Sequence, residues 1–182
     1  MFFRRMVRLP YVLIITTLIL VPTQIFAAKI RVAVASNFSN AMLTIVKQFE
    51  SVSDHKVILS FGSTGKHYSQ IIHGAPFDIF FAADTHRPER LEKKGIAIPD
   101  SRFTYAIGKL VLWSPVDHYL DSSARILKQG EFRYLAIANP KLAPYGLAAQ
   151  EVLQALKLWT KLQQRLVRGE NISQTLQKVS HY

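Results

Sequence analysis

Cysteine is absent from all 182 residues. That removes a disulfide scaffold and thiolate chemistry from consideration, while leaving an oxidising compartment open, because such compartments permit disulfides without requiring them. Acidic residues are scarce, 12 against 23 lysines and arginines. The basic surplus is scattered: Lys93 and Lys94 are adjacent, Lys161, Arg165 and Arg168 fall at roughly helical spacing, and nowhere do five or six basic residues run together. Without a basic stripe interleaved with aromatics, a solvated basic face is expected rather than a nucleic-acid surface. A bilayer span is missing too. The apolar stretch between Pro10 and Pro22 is about eleven residues, against the roughly 20 that a transmembrane helix needs. It follows Arg4, Arg5 and Arg8 and precedes the small residues Ala27 and Ala28, the layout of a secretory signal peptide over residues 1–27. The mature, exported chain is then expected to start near Ala28, with about eight net positive charges once the three leader arginines are removed from the count.

What remains is 49% hydrophobic overall, without internal repeat or low-complexity segment, enough for one substantial core. KIRVAVAS is short, β-branched and nearly all apolar, the pattern of a strand buried on both faces of a parallel sheet. Over residues 37–51, Phe38, Met42, Ile45, Val46 and Phe49 recur at spacings of three and four, which predicts an amphipathic helix. HKVILSF predicts a second strand, GSTG a turn, HYSQIIHG a second helix stopped by Gly74, FDIFFAA a third strand and THRPERLEKKG a short helix. This alternation over residues 28–95 predicts a first α/β lobe. Residues 96–182 form a second, in which AIPDSRFTYAIGKLVLWSP is expected to be strand-rich, YLAIANP to be a buried strand, and LAAQEVLQALKLWTKLQQRL and ISQTLQKV to be helical.

In open α/β sheets ligands sit beyond the carboxyl ends of strands, where helix N-termini aim unpaired N–H groups at the crevice. Four segments place small polar residues at such junctions: Ala35–Asn37, Gly62–Gly65, Ala143–Gly146 and Gly169–Ser173. Ser36, Asn37, Ser63, Thr64 and Tyr145 can add side-chain donors to the backbone ones. Any single junction could be an ordinary helix cap; four together favour an anion site. Neutral donors suit a small, fully ionised tetrahedral dianion.

The stretch LSFGSTGKHYSQ also invites a nucleotide phosphate-loop reading, G-x-x-x-x-G-K followed by Ser or Thr. Ser60 stands where the first glycine belongs and His67 where the hydroxyl residue belongs, so the pattern fails at two fixed positions. The six histidines show no H-E-x-x-H spacing, and no G-x-S-x-G elbow exists. Asp78 and Asp84 fit a turn and an N-cap better than an acid/base pair. No enzyme activity and no bare metal ion are expected.

In this order, VAVASNFSNAM, LSFGSTGKHYSQIIHGAPFDIFFAAD, SRFTYAIGKLVLWSP and IANPKLAPYGLAAQEVL resemble the periplasmic molybdate-binding proteins of ABC transporters, from about Lys29 to Gln177. GAPFDIFFAAD and NPKLAPYG are the most specific segments. The resemblance implies a two-lobed periplasmic binding protein-like α/β fold with molybdate or tungstate in the interlobe cleft. It implies a monomeric binder with no cofactor, and a membrane permease as partner. Molybdenum is then held as the oxyanion. It assigns the contacts to Ser36 with Asn37, Thr64 with Ser63, the hydroxyl of Tyr145, and the backbone N–H of Ile172. It also sets the chain apart, because the family continues for roughly another third beyond ISQTLQ. A fold incomplete at the C-terminus is therefore expected, with a truncated non-binding remnant, or a binder of another oxyanion such as sulfate, as the alternatives.

Overall fold

The structure, a computed structural model, describes residues 28–121, 123 and 125–180. The expected signal peptide lies outside these residues. Two parallel sheets organise the chain. The first has strand order β2-β1-β3, with β1 (Lys29–Ala35) at its centre between β2 (Lys56–Gly62) and β3 (Ile79–Phe81). Buried on both faces, β1 is apolar from Val32 to Ala35 with no polar alternation. A 3-10 turn at Ser36–Phe38 leads into helix α1 (Ser39–Ser51), which seats Met42 against Val32 and Val34. Helix α2 (Thr64–Ile72) joins β2 to β3, and α3 (His86–Lys93) follows β3. Asp78 fixes β3 against β1: its carboxylate accepts from Arg31 N–H at 2.6 Å and its own N–H donates to the Arg31 carbonyl at 2.8 Å.

The second sheet pairs β4 (Leu135–Ala138) with β5 (Leu166–Gly169). Helix α4 (Ile126–Gln129) precedes β4, and between the two strands run α5 (Pro144–Ala155), α6 (Trp159–Leu162) and a 3-10 turn at Gln163–Arg165. Helix α7 (Ile172–Ser180) follows β5. This part has its own core of Leu127, Leu153, Leu158 and Leu162, separate from the Val32, Val34 and Met42 cluster of the first sheet. The molecule is thus α/β with two lobes. Gly146 lets α5 lie directly on β4, since any Cβ there would collide with the Ala138 carbonyl.

Several expected elements differ in extent. Helix α2 begins three residues earlier than HYSQIIHG suggests, because Ser63 Oγ caps it by accepting from Lys66 N–H at 3.4 Å. The third strand shrinks from FDIFFAA to Ile79–Phe81, the residues that face β1. The long helical pattern after Leu147 breaks at Lys157, whose φ of 57° lies in the left-handed region and ends α5. The short strand LVRG (β5) has no sequence signature, four residues being too few to show a period. The largest departure is at residues 96–116, where the expected strands do not form. A strand exists only through a partner's ladder, and no described strand lies alongside this one. The segment instead borders a groove of about 740 Å³. Tyr105 anchors it, its ring tilted against Phe38 and edge-on to Phe81 and its hydroxyl donating to the Ala82 carbonyl at 2.8 Å. Phe103, Ile107 and Val111 stay more than three-quarters exposed.

His67, on the inner face of α2, is 2% exposed and packs edge-on to Phe77 and Phe80. Burial pushes its pKa below the ordinary 6.5, outweighing the hydrogen bond to Gln70, which favours the charged ring. Folding therefore prefers the neutral imidazole. The stabilisation is complete above about pH 6.5 and is lost as pH falls through the depressed folded value. Urea melts across this range should lose stability toward acid, and His67→Gln should flatten that slope whatever it does to the plateau. Gly146→Ala should cost about 1 to 3 kcal/mol in the same melts, the range for forced overpacking.

Candidate functional site

Strand order β2-β1-β3 reverses direction at β1, so the crevice beyond the carboxyl ends of β1 and β3 is where an open parallel sheet offers a ligand site. The second lobe brings its own strand ends to the same place. Its loop 139–143 leaves β4 and its turn at residues 170–171 leaves β5. Between the lobes lies a small cavity of about 10 Å³, at the limit for a single water. Its wall contains Ser36 and Asn37 from the end of β1, Ser63 and Thr64 from the start of α2, Tyr145 from α5 and Ile172 from α7. All six residues expected from sequence therefore meet in one cavity.

Four chain turns supply these groups. Ser63 occupies the N-cap of α2 in extended conformation, and Thr64, 1% exposed, opens the helix. The Thr64 hydroxyl accepts from Ala83 N–H at 3.0 Å, which leaves its own proton to donate. Ser63 Oγ likewise accepts from Lys66 N–H and keeps a proton. Helix α5 starts with Pro144 in its first turn, the position where a missing N–H costs nothing. The Tyr145 ring passes between the small cavity and the large groove, its hydroxyl packed against Gly108. At α7 the Asn171 side chain accepts from Gln174 N–H at 3.0 Å, so Ile172 and Ser173 carry first-turn N–H groups with no intrahelical acceptor.

None of the twelve residues lining the cavity is charged. Lys66, two residues after Thr64, is not part of the wall and pairs with Glu170 of the other lobe at 3.7 Å. The electrostatic character of the site is that of helix N-termini, amides and hydroxyls, rich in neutral donors, with no carboxylate in its wall. Among the described residues no group of three or more His, Cys, Asp or Glu could hold a metal ion. Asp84 is a cap, its carboxylate accepting from Arg87 N–H at 2.9 Å, and Asp78 is bound to Arg31. His67 and His73 diverge as their six-residue separation requires: the first is buried and the second is exposed.

Of the wall residues, Ala83 alone lies outside the four junctions singled out in the sequence. It contributes backbone only, which no side-chain pattern reveals. Ala143 and Asn171 fall within two of those junctions, Asn171 as an N-cap residue preceding ISQTLQ.

The walls are joined across the cavity mouth. Gly65 N–H donates to the Leu142 carbonyl at 2.8 Å, Arg87 Nη2 donates to the Lys141 carbonyl at 3.2 Å, and Ser173 Oγ donates to the Ser36 carbonyl at 3.4 Å. A Cβ on Gly65 would sit 2.8 Å from the Leu142 oxygen and 3.1 Å from its Cα, so only glycine allows this approach.

Comparison with known proteins places the fold in a family. The family model described as bacterial extracellular solute-binding protein matches residues 30–181. The molybdate-binding protein ModA of Azotobacter vinelandii is 53% identical over 154 residues, 85% of this chain and 61% of the relative. ModA of Rhodobacter capsulatus is 44% identical, covering 81% and 58% respectively. Among solved structures, the periplasmic molybdate-binding protein of Azotobacter vinelandii superposes with a TM-score of 0.81 at 42% identity, covering 84% of this chain and 67% of that one. The chain thus spans about three-fifths of the length of the curated relatives it matches. With the two-lobed α/β fold and a model match over most of its length, the chain belongs to the bacterial extracellular solute-binding protein family.

Proposed function

We propose that this protein captures molybdate, or the isostructural tungstate, in the interlobe cavity and presents it to the membrane permease of an ABC transporter. The observation that carries the reading is the uncharged wall, rich in neutral donors, onto which the N-termini of α2, α5 and α7 converge. A fully ionised tetrahedral oxyanion accepts from every such donor, and three helix termini offset its charge without a cation. The similarity to proteins named for molybdate binding points to the same ligand class. In this reading Ser36, Thr64 and Tyr145 donate hydroxyl protons, Ile172 donates its backbone N–H, and Asn37 and Ser63 complete the wall. Residues 28–95 and 96–182 act as the two lobes, and residues 1–27 direct export to the periplasm. The protein works as a monomeric binder, with no turnover, cofactor or nucleic acid.

Capture proceeds by exchange of solvation. An oxyanion larger than one water enters only when the two walls part, and loses its hydration shell as amide and hydroxyl donors replace it. Closure then brings the walls that carry Gly65, Arg87 and Ser173 together around the larger ligand. Selectivity follows from cavity size, since neutral donors treat all tetrahedral dianions alike.

Calorimetric titration of the chain from Ala28 with sodium molybdate, tungstate and sulfate tests the proposal. Saturable heat with molybdate and tungstate and much weaker heat with sulfate is expected; silence with both metal oxyanions would refute it. Tyr145→Phe should weaken molybdate binding by about 1 to 3 kcal/mol, the value of a hydrogen bond to a charged group. Unchanged affinity would remove the hydroxyl from the contact set.

A further inference from the structure

We infer that Arg87, which lies outside the cavity wall, is a positioning residue for anion capture: its guanidinium ties the cap of α3 to the loop that aims α5 and Tyr145 at the site. The inference rests on the anion-binding reading above for its consequence, though not for its geometry.

Arg87 is fixed at its own end by two bonds to Asp84. Its backbone N–H donates to one carboxylate oxygen at 2.9 Å and its Nη1 pairs with the other. Both side chains are about four-fifths buried, at 21% and 20% exposed, so this pair is better held than an exposed one. The other arm of the fork, Nη2, reaches across to the other lobe and donates to the Lys141 carbonyl at 3.2 Å. That loop is itself a compact unit. Asn139 accepts from Lys141 N–H through its side chain at 3.0 Å and from Leu142 and Ala143 N–H through its carbonyl, and donates its own N–H to Gly169 of β5 at 2.7 Å. The loop therefore moves as one piece with the β4 and β5 ends, and Tyr145 follows two residues after it.

The first lobe grips this unit at adjacent carbonyls, Lys141 by Arg87 and Leu142 by Gly65 N–H. Arg87 Nη2 is also one of the atoms that a Cβ on Gly65 would meet, at 3.2 Å, so both grips form a single joint. The geometry needs a planar fork. One arm is spent on Asp84 and the other on a backbone oxygen in the other lobe, whereas a lysine offers a single point charge on a flexible stem. Because this joint bridges the two walls at the cavity mouth, a bound oxyanion leaves only as the walls part and the joint opens. Arg87 therefore governs release more than entry.

The test uses the chain from Ala28 with Arg87→Ala, Arg87→Lys and Gly65→Ala, the last opening the same joint from its other side. Amide exchange without ligand reads the joint directly: faster exchange at Gly65 N–H in Arg87→Ala is expected, and unchanged protection overturns the inference. Release of radiolabelled molybdate, followed by rapid filtration, reads the consequence. In Arg87→Ala release should be about tenfold faster or more, as for loss of one hydrogen bond to a charged group, with association not slowed. Arg87→Lys should fall between, and Gly65→Ala should reproduce the effect with Arg87 intact. In a double-mutant cycle, Arg87→Ala and Tyr145→Phe should be non-additive in affinity. Faster exchange with unaltered release would reduce Arg87 to a structural link. Molybdate silence in the unmutated protein would instead refute the anion reading, with the exchange result still deciding whether the joint exists.

Discussion

The hydrogen bond from Gly65 N–H to the Leu142 carbonyl joins two sheets that share no strand. Everything at the site depends on that approach. It requires a residue without Cβ at the beginning of α2, a loop beyond β4 whose carbonyls face outward, and a helix α5 whose first turn is displaced neither along nor away from its strand. Gly65 and Gly146 meet two of these demands by the same means, letting backbone touch backbone, once between lobes and once within one. The cavity exists because these contacts hold two sets of strand ends face to face.

The chemistry of the wall follows from the choice of dipoles over charges. A lysine or arginine inside the cavity would attract any anion, including monovalent and planar ones, and would carry a large desolvation penalty when the site is empty. Helix termini and hydroxyls distribute smaller partial charges over several directions, so favourable energy accrues only to a ligand that meets many at once. The basic residues nearest the site are accordingly turned to other work, Lys66 toward Glu170 and Arg87 toward Asp84 and a carbonyl. The chain carries a large basic surplus and keeps it out of the cavity.

Much of this was legible in the sequence because it is local. Buried parallel strands announce themselves by unbroken apolar runs such as KIRVAVAS, and helix starts by Ser, Thr and Asn at the junctions, so Ser36, Asn37, Ser63, Thr64 and Tyr145 could be singled out without coordinates. Ile172 could not, since it contributes an amide that any residue possesses, and only family resemblance indicated it. Arg87 was invisible for a different reason: its significance lies in a carbonyl 54 residues away. Non-local dependence also explains the misread segment 96–116, whose β-branched and aromatic content signals strand propensity but says nothing about whether a partner ladder is at hand. The four residues of β5 were too short to show any period.

That same segment gives the protein a colloidal character. Ile98, Phe103, Ile107, Val111 and Val116 present an apolar ribbon to solvent, beside an edge strand, β3, that is paired on one side only among the described residues. Such a surface is adhesive toward others of its kind. The net positive charge opposes that adhesion by keeping like molecules apart, but its reach shrinks from about 10 Å at 0.1 M salt to about 3 Å at 1 M. How long this chain stays dispersed is thus a contest between one ribbon and a diffuse charge, and ionic strength decides it.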